Sequence, residues 1–160
     1  MLNSYAYADP DYIYTDPQTG VLRNILNITD NEVLQFVEAG FTARRIQEQW
    51  VDPIMISSSE TLFEIHHHLF QDIYEWAGQK RKVEISKEGN QFFPLNRFNT
   101  ALSYIDGLIA EYKRLEHGHK RLLTQNLAKI LDAVNYLHPF REGNGRAQRE
   151  FIRLLALEKD

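Results

Sequence analysis

The chain has 160 residues, 43% of them hydrophobic, with a formal net charge of −4 at pH 7 and no cysteine. A single domain with a self-sufficient core is expected over residues 1–160. The mild acidic balance gives no sign of a general nucleic-acid or membrane surface, and the lack of cysteine excludes disulfides and thiolate metal sites.

Residues 1–28 are rich in Tyr, Asp, Pro and Thr with little periodicity and read as an extended segment, with a turn at Asp16-Pro-Gln-Thr-Gly20. The opening residues carry neither a basic start nor an apolar stretch, so no secretory signal is expected. No apolar run approaches the roughly 20 residues of a membrane span. The expectation is a cytoplasmic protein, or one exported by a route that does not read the N-terminus.

Thr29-Asp-Asn-Glu32 has the pattern of a capping box, and Val33, Leu34, Phe36, Val37 and Phe41 follow at near-helical spacing, predicting a helix from about Asn31 to Trp50. Ser57-Ser-Ser-Glu60 is a second such box. Leu62, Ile65, Leu69, Ile73 and Trp76 then share one face, predicting a helix to about Trp76 with Gly78 as its stop. Lys82-Val-Glu-Ile-Ser86 alternates polar and apolar, Gly89-Asn90 supplies a turn, and Gln91-Phe-Phe93 returns, which reads as one β-hairpin over 82–93. A helix capped by Asn96 carries Leu102, Ile105, Leu108, Ile109, Tyr112 and Leu115. After a break at His117-Gly-His-Lys120, a helix capped by Thr124 carries Leu127, Ile130, Leu131, Val134 and Leu137. A last helix runs from about Asn144 to Leu157, with Phe151, Ile152, Leu154 and Leu155 as its anchor to the core. The fold class is therefore all-α with one short β-hairpin.

The chemistry concentrates in residues 138–149, His138-Pro-Phe-Arg-Glu-Gly-Asn-Gly-Arg-Ala-Gln-Arg149. His138 can accept a proton near neutral pH. Glu142 is a hard oxygen ligand suited to Mg²⁺. Gly143, Asn144 and Gly145 form a turn whose backbone N–H groups can converge on an anion at a positive helix N-terminus. Arg146 and Arg149, at i and i+3 on that helix, present two guanidinium groups able to grip phosphate. Other histidines read more plainly. His66-His-His68 cannot converge on one metal, because consecutive helix residues diverge by about 100°; ordinary helix packing is the better reading. His117 and His119 lie in a polar loop and read as surface.

This stretch resembles the signature of the Fic family, His-x-Phe-x-(Asp/Glu)-Gly-Asn-Gly-Arg-x-x-Arg, at every fixed position: His138, Phe140, Glu142, Gly143, Asn144, Gly145, Arg146 and Arg149. Ile65-His-His-His-Leu-Phe-Gln-Asp-Ile-Tyr-Glu-Trp-Ala-Gly-Gln79 is similar to the family's upstream helix, and Arg81-Lys-Val-Glu-Ile-Ser86 to its target-docking flap. Tyr14-Thr-Asp-Pro-Gln-Thr-Gly-Val-Leu22 is similar to the opening of bacterial members.

The resemblance implies a Fic-type helical bundle that transfers AMP from ATP, with Mg²⁺, onto a Tyr, Ser or Thr hydroxyl of a target protein. His138 would be the general base and Glu142 the metal ligand. Gly143, Asn144 and Gly145 would hold the α- and β-phosphates, and Arg146 and Arg149 the β- and γ-phosphates. The hairpin would register the target as an added strand, with Val83, Ile85 and Phe92 clamping it. Family members that transfer a phosphoryl group depart from Gly-Asn-Gly, which this chain keeps. Many members carry an inhibitory (Ser/Thr)-x-x-x-Glu-(Gly/Asn) helix, and no Ser or Thr here has that pattern after it. The resemblance then implies a separate small antitoxin-like inhibitor with a Glu for Arg149. Related domains commonly continue past the last helix with others that help enclose the adenine.

Overall fold

A computed structural model describes residues 5–7 and 9–160; residues 1–4 and 8, on which part of the N-terminal reading falls, lie outside the described residues. The elements in chain order are β1 (Tyr5–Tyr7), α1 (Asn31–Val51), α2 (Glu60–Phe70), β2 (Ile85–Lys87), β3 (Asn90–Gln91), a 3₁₀ turn (Leu95–Arg97), α3 (Phe98–Arg114), α4 (Lys120–Leu137) and α5 (Asn144–Leu157). Helices dominate, as the periodicity requires, and a small antiparallel sheet of order β1-β2-β3 accompanies them.

The helices form one packed body. α3 lies on α4, α4 and α2 both lie on α5, and α1 covers α2. α5 is the central element for function, and its sequence explains its seat: Ala147, Phe151, Leu154 and Leu155 recur at three- and four-residue spacing and all are buried. Ile65, Leu69, Ile130, Val134, Leu137 and Phe140 close around it. Fully burying each large aliphatic or aromatic side chain contributes roughly 1.5–3 kcal/mol, so the segment bearing the arginines rests on the buried core. No helix of the described residues is long and apolar enough to cross a membrane.

Several local expectations shift, each for a physical reason. α1 is capped by Asp30, one residue later than the Thr29 box suggests, because the extended Asp30 carboxylate accepts the Val33 N–H at 3.0 Å. Its inner face is Leu34, Glu38, Thr42 and Gln49, while Val33 and Phe36 face solvent. α2 ends at Phe70 rather than near Trp76. Its end is unwound by side chains: the Gly78 N–H donates to His66 Nδ1 at 2.8 Å, and Arg45 grips Asp72 with contacts of 2.7 and 2.8 Å. Gly78 does take the positive φ of a stop, +77°. α4 starts at Lys120, and Thr124 lies inside it with its hydroxyl donating to the Lys120 carbonyl. Asn96 falls in the 3₁₀ turn and does not cap α3.

The hairpin is shorter than 82–93 and turns at Glu88-Gly89, both at positive φ (51° and 81°), as a two-residue hairpin loop demands. Its unexpected companion is β1. Tyr5, Ala6 and Tyr7 pair with Lys87, Ser86 and Ile85, so β2 is the middle strand. Pairing also rearranges the flap's side chains. Val83 and Ile85 are buried, 4% and 1% exposed, against Tyr14, with Leu22, Trp76 and Phe92 around them. They anchor the flap to the body and cannot clamp a target; only Phe92 of the expected trio lies partly open. The alternation of polar and apolar residues is present, but its apolar face turns inward.

Candidate active site

The signature loop leaves α4 at His138, whose left-handed backbone (φ 45°, ψ 61°) ends the helix and swings the chain toward α5. Phe140 then drops into the core, fully buried. Asn144 closes the loop on itself: its amide donates to the Phe140 carbonyl at 2.7 Å and its carbonyl accepts the Phe140 N–H at 2.9 Å. The Asn144 side chain is thus a brace of the loop, not an arm reaching a phosphate. Gly143 sits at φ +81°, and a Cβ there would come within 2.3 Å of the Phe70 ring, so only glycine fits.

The donors for an anion follow from this geometry. The Gly143 N–H donates to Oε1 of Glu142 at 3.0 Å. The N–H groups of the first turn of α5, from Asn144 onward, are the ones without intrahelical acceptors. Arg149 is exposed, in no ion pair among the described residues, and its Nη1 would lie 3.2 Å from a Cβ placed on Gly145. Arg146 behaves differently from its partner. Its guanidinium is ion-paired with buried Glu38 of α1, lies 4.7 Å over the Phe70 ring, and is 3.9 Å from Glu142. Tyr74 donates its hydroxyl to the same Glu38. Glu38 was legible in principle: a carboxylate between Leu34 and Thr42 on an inward face needs a cation.

His138 is 7% exposed and stacks on Phe92, ring centroids 3.8 Å apart, with Tyr5 at 5.7 Å. Its Nδ1–H donates to the Asn135 carbonyl at 3.3 Å, which leaves Nε2 as the unprotonated nitrogen. Burial pushes its pKa down to about 4, and the nearby Arg81 and Lys87 charges add to the effect. The ring is a neutral acceptor at pH 7. His138, Arg141, Glu142, Asn144, Gly145 and Tyr5 line one small cavity of about 50 Å³. A larger cleft of about 1050 Å³ adjoins the flap, with Tyr5, Phe92, Tyr104 and Tyr136 among its walls.

Two residues that hold this arrangement escaped the sequence reading. Arg81 is 1% exposed, and its guanidinium donates to the carbonyls of His138 (2.8 Å), Val83 (2.7 Å) and Phe93 (2.5 Å). Its own N–H donates to the Pro139 carbonyl at 2.8 Å. One side chain thus ties both sides of the flap to the signature loop. His66, taken for ordinary packing, accepts the Gly78 N–H on Nδ1 and donates from Nε2 to the Glu142 carbonyl at 2.9 Å, while stacking on Phe140 at 3.7 Å. Both lie in segments similar to the family's, but nothing local marks their roles, because the His138, Phe93 and Glu142 carbonyls they reach are distant in sequence. The described residues hold no cluster of three or more His, Cys, Asp or Glu side chains that could ligate a metal.

A pH dependence of stability follows. Burial lowers the His66 pKa to about 3, as it lowers that of His138 to about 4. In the unfolded chain both protonate near the ordinary value of about 6.5. Below that value the unfolded state takes up protons that the folded state refuses, so stability falls as pH falls, down to the folded pKa values. Above it the two rings contribute no slope. Urea titrations at pH 7 and pH 5 are expected to differ by about 2 kcal/mol for each ring. An unchanged midpoint would mean that the rings are not held neutral.

Comparison with known proteins agrees with the motif. Residues 56–156 match the model of the Fic/DOC family. The chain is 38% identical over 148 residues to "Protein adenylyltransferase VbhT" of Bartonella schoenbuchensis, covering 91% of this chain and 30% of that protein. It is 33% identical to "Probable protein adenylyltransferase Fic" of Escherichia coli K12, covering 98% of this chain and 77% of the relative. Among solved structures, the N-terminal Fic domain of a Bartonella effector protein from Bartonella sp. AR 15-3 superposes with a TM-score of 0.85 at 24% identity, over 92% of this chain and 73% of that one. The signature, the helical fold around α5 and these matches together show that the chain belongs to the Fic/DOC family.

Proposed function

We propose that the chain is a protein adenylyltransferase that moves AMP from ATP onto a Tyr, Ser or Thr hydroxyl of a target protein. The observation that carries this reading is the single cavity in which the neutral His138 ring meets the N-terminus of α5, Glu142 and Gly145. Support comes from the names of the relatives in Bartonella and Escherichia coli, both called protein adenylyltransferases.

A target hydroxyl is a weak nucleophile at neutral pH. In the proposed step its oxygen attacks the α-phosphorus, its proton passes to Nε2 of His138, and the bond to the β-phosphate breaks to release pyrophosphate. The first-turn N–H groups of α5 stabilise the charge that builds on the α- and β-phosphates, without reorganisation. Arg149 reaches the terminal phosphate. Arg146, held by Glu38, adds a fixed positive charge below the loop. Glu142 fits a Mg²⁺ site: Mg²⁺ keeps several waters and needs only one or two carboxylates beside the substrate phosphates, and Glu142 is partly exposed in the cavity wall. Bound there, Mg²⁺ would neutralise phosphate charge. A target segment approaches along the flap, with Phe92 beside His138 as its apolar contact.

Incubation with α-labelled or γ-labelled ATP and lysate tests the reading. Label from the α position alone is expected. Label from γ alone would mean phosphotransfer, and none at all would mean a binding module; the intact His138 and Gly143-Asn144-Gly145 disfavour both. In the same assay, Glu142→Ala is expected to need far more Mg²⁺; superimposable titrations would place the ligand elsewhere.

The same reading includes restraint in trans by a small helical protein whose Glu pairs with Arg149. It is supported by the exposed Arg149, which makes no ion pair among the described residues. Expression of the chain alone is expected to be toxic to bacteria, with relief by His138→Ala. Harmless overexpression of an active chain that purifies alone would overturn it.

A further inference from the structure

One nitrogen of Arg146 stands between two carboxylates. Nη2 donates to Oε1 of Glu38 on α1, and the same Nη2 lies 3.9 Å from Oε1 of Glu142 in the signature loop. The two carboxylates differ in setting: the Glu38 side chain is 9% exposed and that of Glu142 is 41% exposed. A buried ion pair is screened less by salt and water than an exposed one, and a buried carboxylate robbed of its cation is costly. Both effects hold the guanidinium on Glu38.

The surroundings of Arg146 favour the same choice. Tyr74 donates its hydroxyl to Oε2 of Glu38, so both oxygens of that carboxylate are engaged. Burial and the Glu38 charge raise the Tyr74 pKa, so the phenol keeps the proton it donates. The Phe70 ring lies 4.7 Å from Cζ of Arg146, and it is the ring that leaves no room for a Cβ at Gly143. Glu38, Tyr74 and Phe70 thus form a socket for Arg146 beside the first turn of α5. With the guanidinium neutralised there, Glu142 keeps its negative charge for the cavity. Its Oε1 accepts the Gly143 N–H at 3.0 Å, and the residue lines the cavity together with His138.

We propose that Glu38 is a positioning residue for the metal site: by holding Arg146 in this socket it keeps the guanidinium off Glu142 and leaves that carboxylate available to Mg²⁺. The inference rests on the Mg²⁺-dependent transfer reading. Released from Glu38, Arg146 would need to close only a short gap to pair with Glu142, and Mg²⁺ would then have to displace it. The burial of one glutamate on α1 in this way sets the metal affinity of another on the signature loop, with no direct contact between the two.

The test is calorimetric titration of Mg²⁺ into the full chain saturated with a non-hydrolysable ATP analogue. Glu38→Gln preserves size and can still accept the Tyr74 hydroxyl, but it has no charge to hold Arg146. It is expected to weaken Mg²⁺ binding roughly fivefold, the worth of a partly exposed ion pair, with binding of the metal-free analogue unchanged. Adding Arg146→Gln to it removes the competitor and should return Mg²⁺ binding to at least the wild-type level, a rescue that a merely structural role would not show. Glu38→Asp, with a buried charge of shorter reach, is the variant read if Glu38→Gln does not fold; a smaller weakening is expected. Wild-type Mg²⁺ affinity in the folded single variant, a double variant as weak as the single one, or loss of metal-free analogue binding along with Mg²⁺ overturns the proposal. Any of these beside a wild type that labels lysate proteins from α-labelled ATP overturns this inference alone. A wild type that binds neither Mg²⁺ nor the analogue overturns the transfer reading as well.

Discussion

On the proposed reading, His138→Ala is expected to cut transfer severely while leaving ATP binding largely intact. The general base contributes about 10²–10⁴-fold, and the residual rate should lie that far below wild type. In the proposed reading different groups, the first-turn N–H groups of α5 and Arg149, hold the nucleotide, so calorimetry with Mg-ATP is expected to change little. Two features of the structure refine the experiment. The residue sits at φ 45°, a conformation that Asn tolerates better than Ala, so His138→Asn is the companion variant that keeps the loop's backbone. The wild-type pKa near 4 makes the ring a base at every pH from 8 down to about 5, so the rate should not decline between pH 8 and pH 6 through this group. Transfer by either variant near the wild-type rate would remove His138 from the chemistry.

Arg81→Met should be the most destabilising single change near the site. The unbranched apolar methionine fills part of the space, but it leaves the carbonyls of His138, Val83 and Phe93 without their donor. Each buried acceptor so stranded costs about 1–3 kcal/mol, partly relieved by water and relaxation, giving an expected loss of about 4 kcal/mol. In a domain of this size that lowers Tm by roughly 10 °C. The flap should loosen first, since Arg81 ties it to the signature loop. A shift in Tm of only a degree or two would mean that β2, β3 and the core hold the flap unaided.

The parts of this molecule that were legible in the sequence are those whose cause is local. Residues 138–149 carry their chemistry in one run, and the start and end of α5 follow from Gly143 and from the spacing of Phe151, Leu154 and Leu155. α2 was overextended because its end is decided by His66 reaching Gly78 and Arg45 reaching Asp72, neither of which is a feature of the segment's own periodicity. Strand β1 was invisible because Tyr5-Ala-Tyr7 is a strand only by virtue of the edge that β2 offers. The alternation at Val83 and Ile85 identified two residues on one face, yet alternation does not say whether that face looks toward a partner or toward the protein's own interior. Glu38 on Arg146 shows the same limit for charge: the two are neighbours only after α1 and α5 are assembled.

The brace built on Arg81 recognises main-chain oxygens at positions 83, 93 and 138, and the pin at His66 recognises the main-chain oxygen of Glu142 and the N–H of Gly78. Side-chain truncation cannot delete a carbonyl. A systematic alanine scan would therefore record Val83 and Phe93 only through their packing and would report nothing of their part in the framework, whereas two changes, at Arg81 and His66, would report all of it. The same asymmetry governs drift over time: Val83 and Phe93 can exchange for other apolar residues without losing these bonds, while Arg81 cannot be exchanged without losing all three.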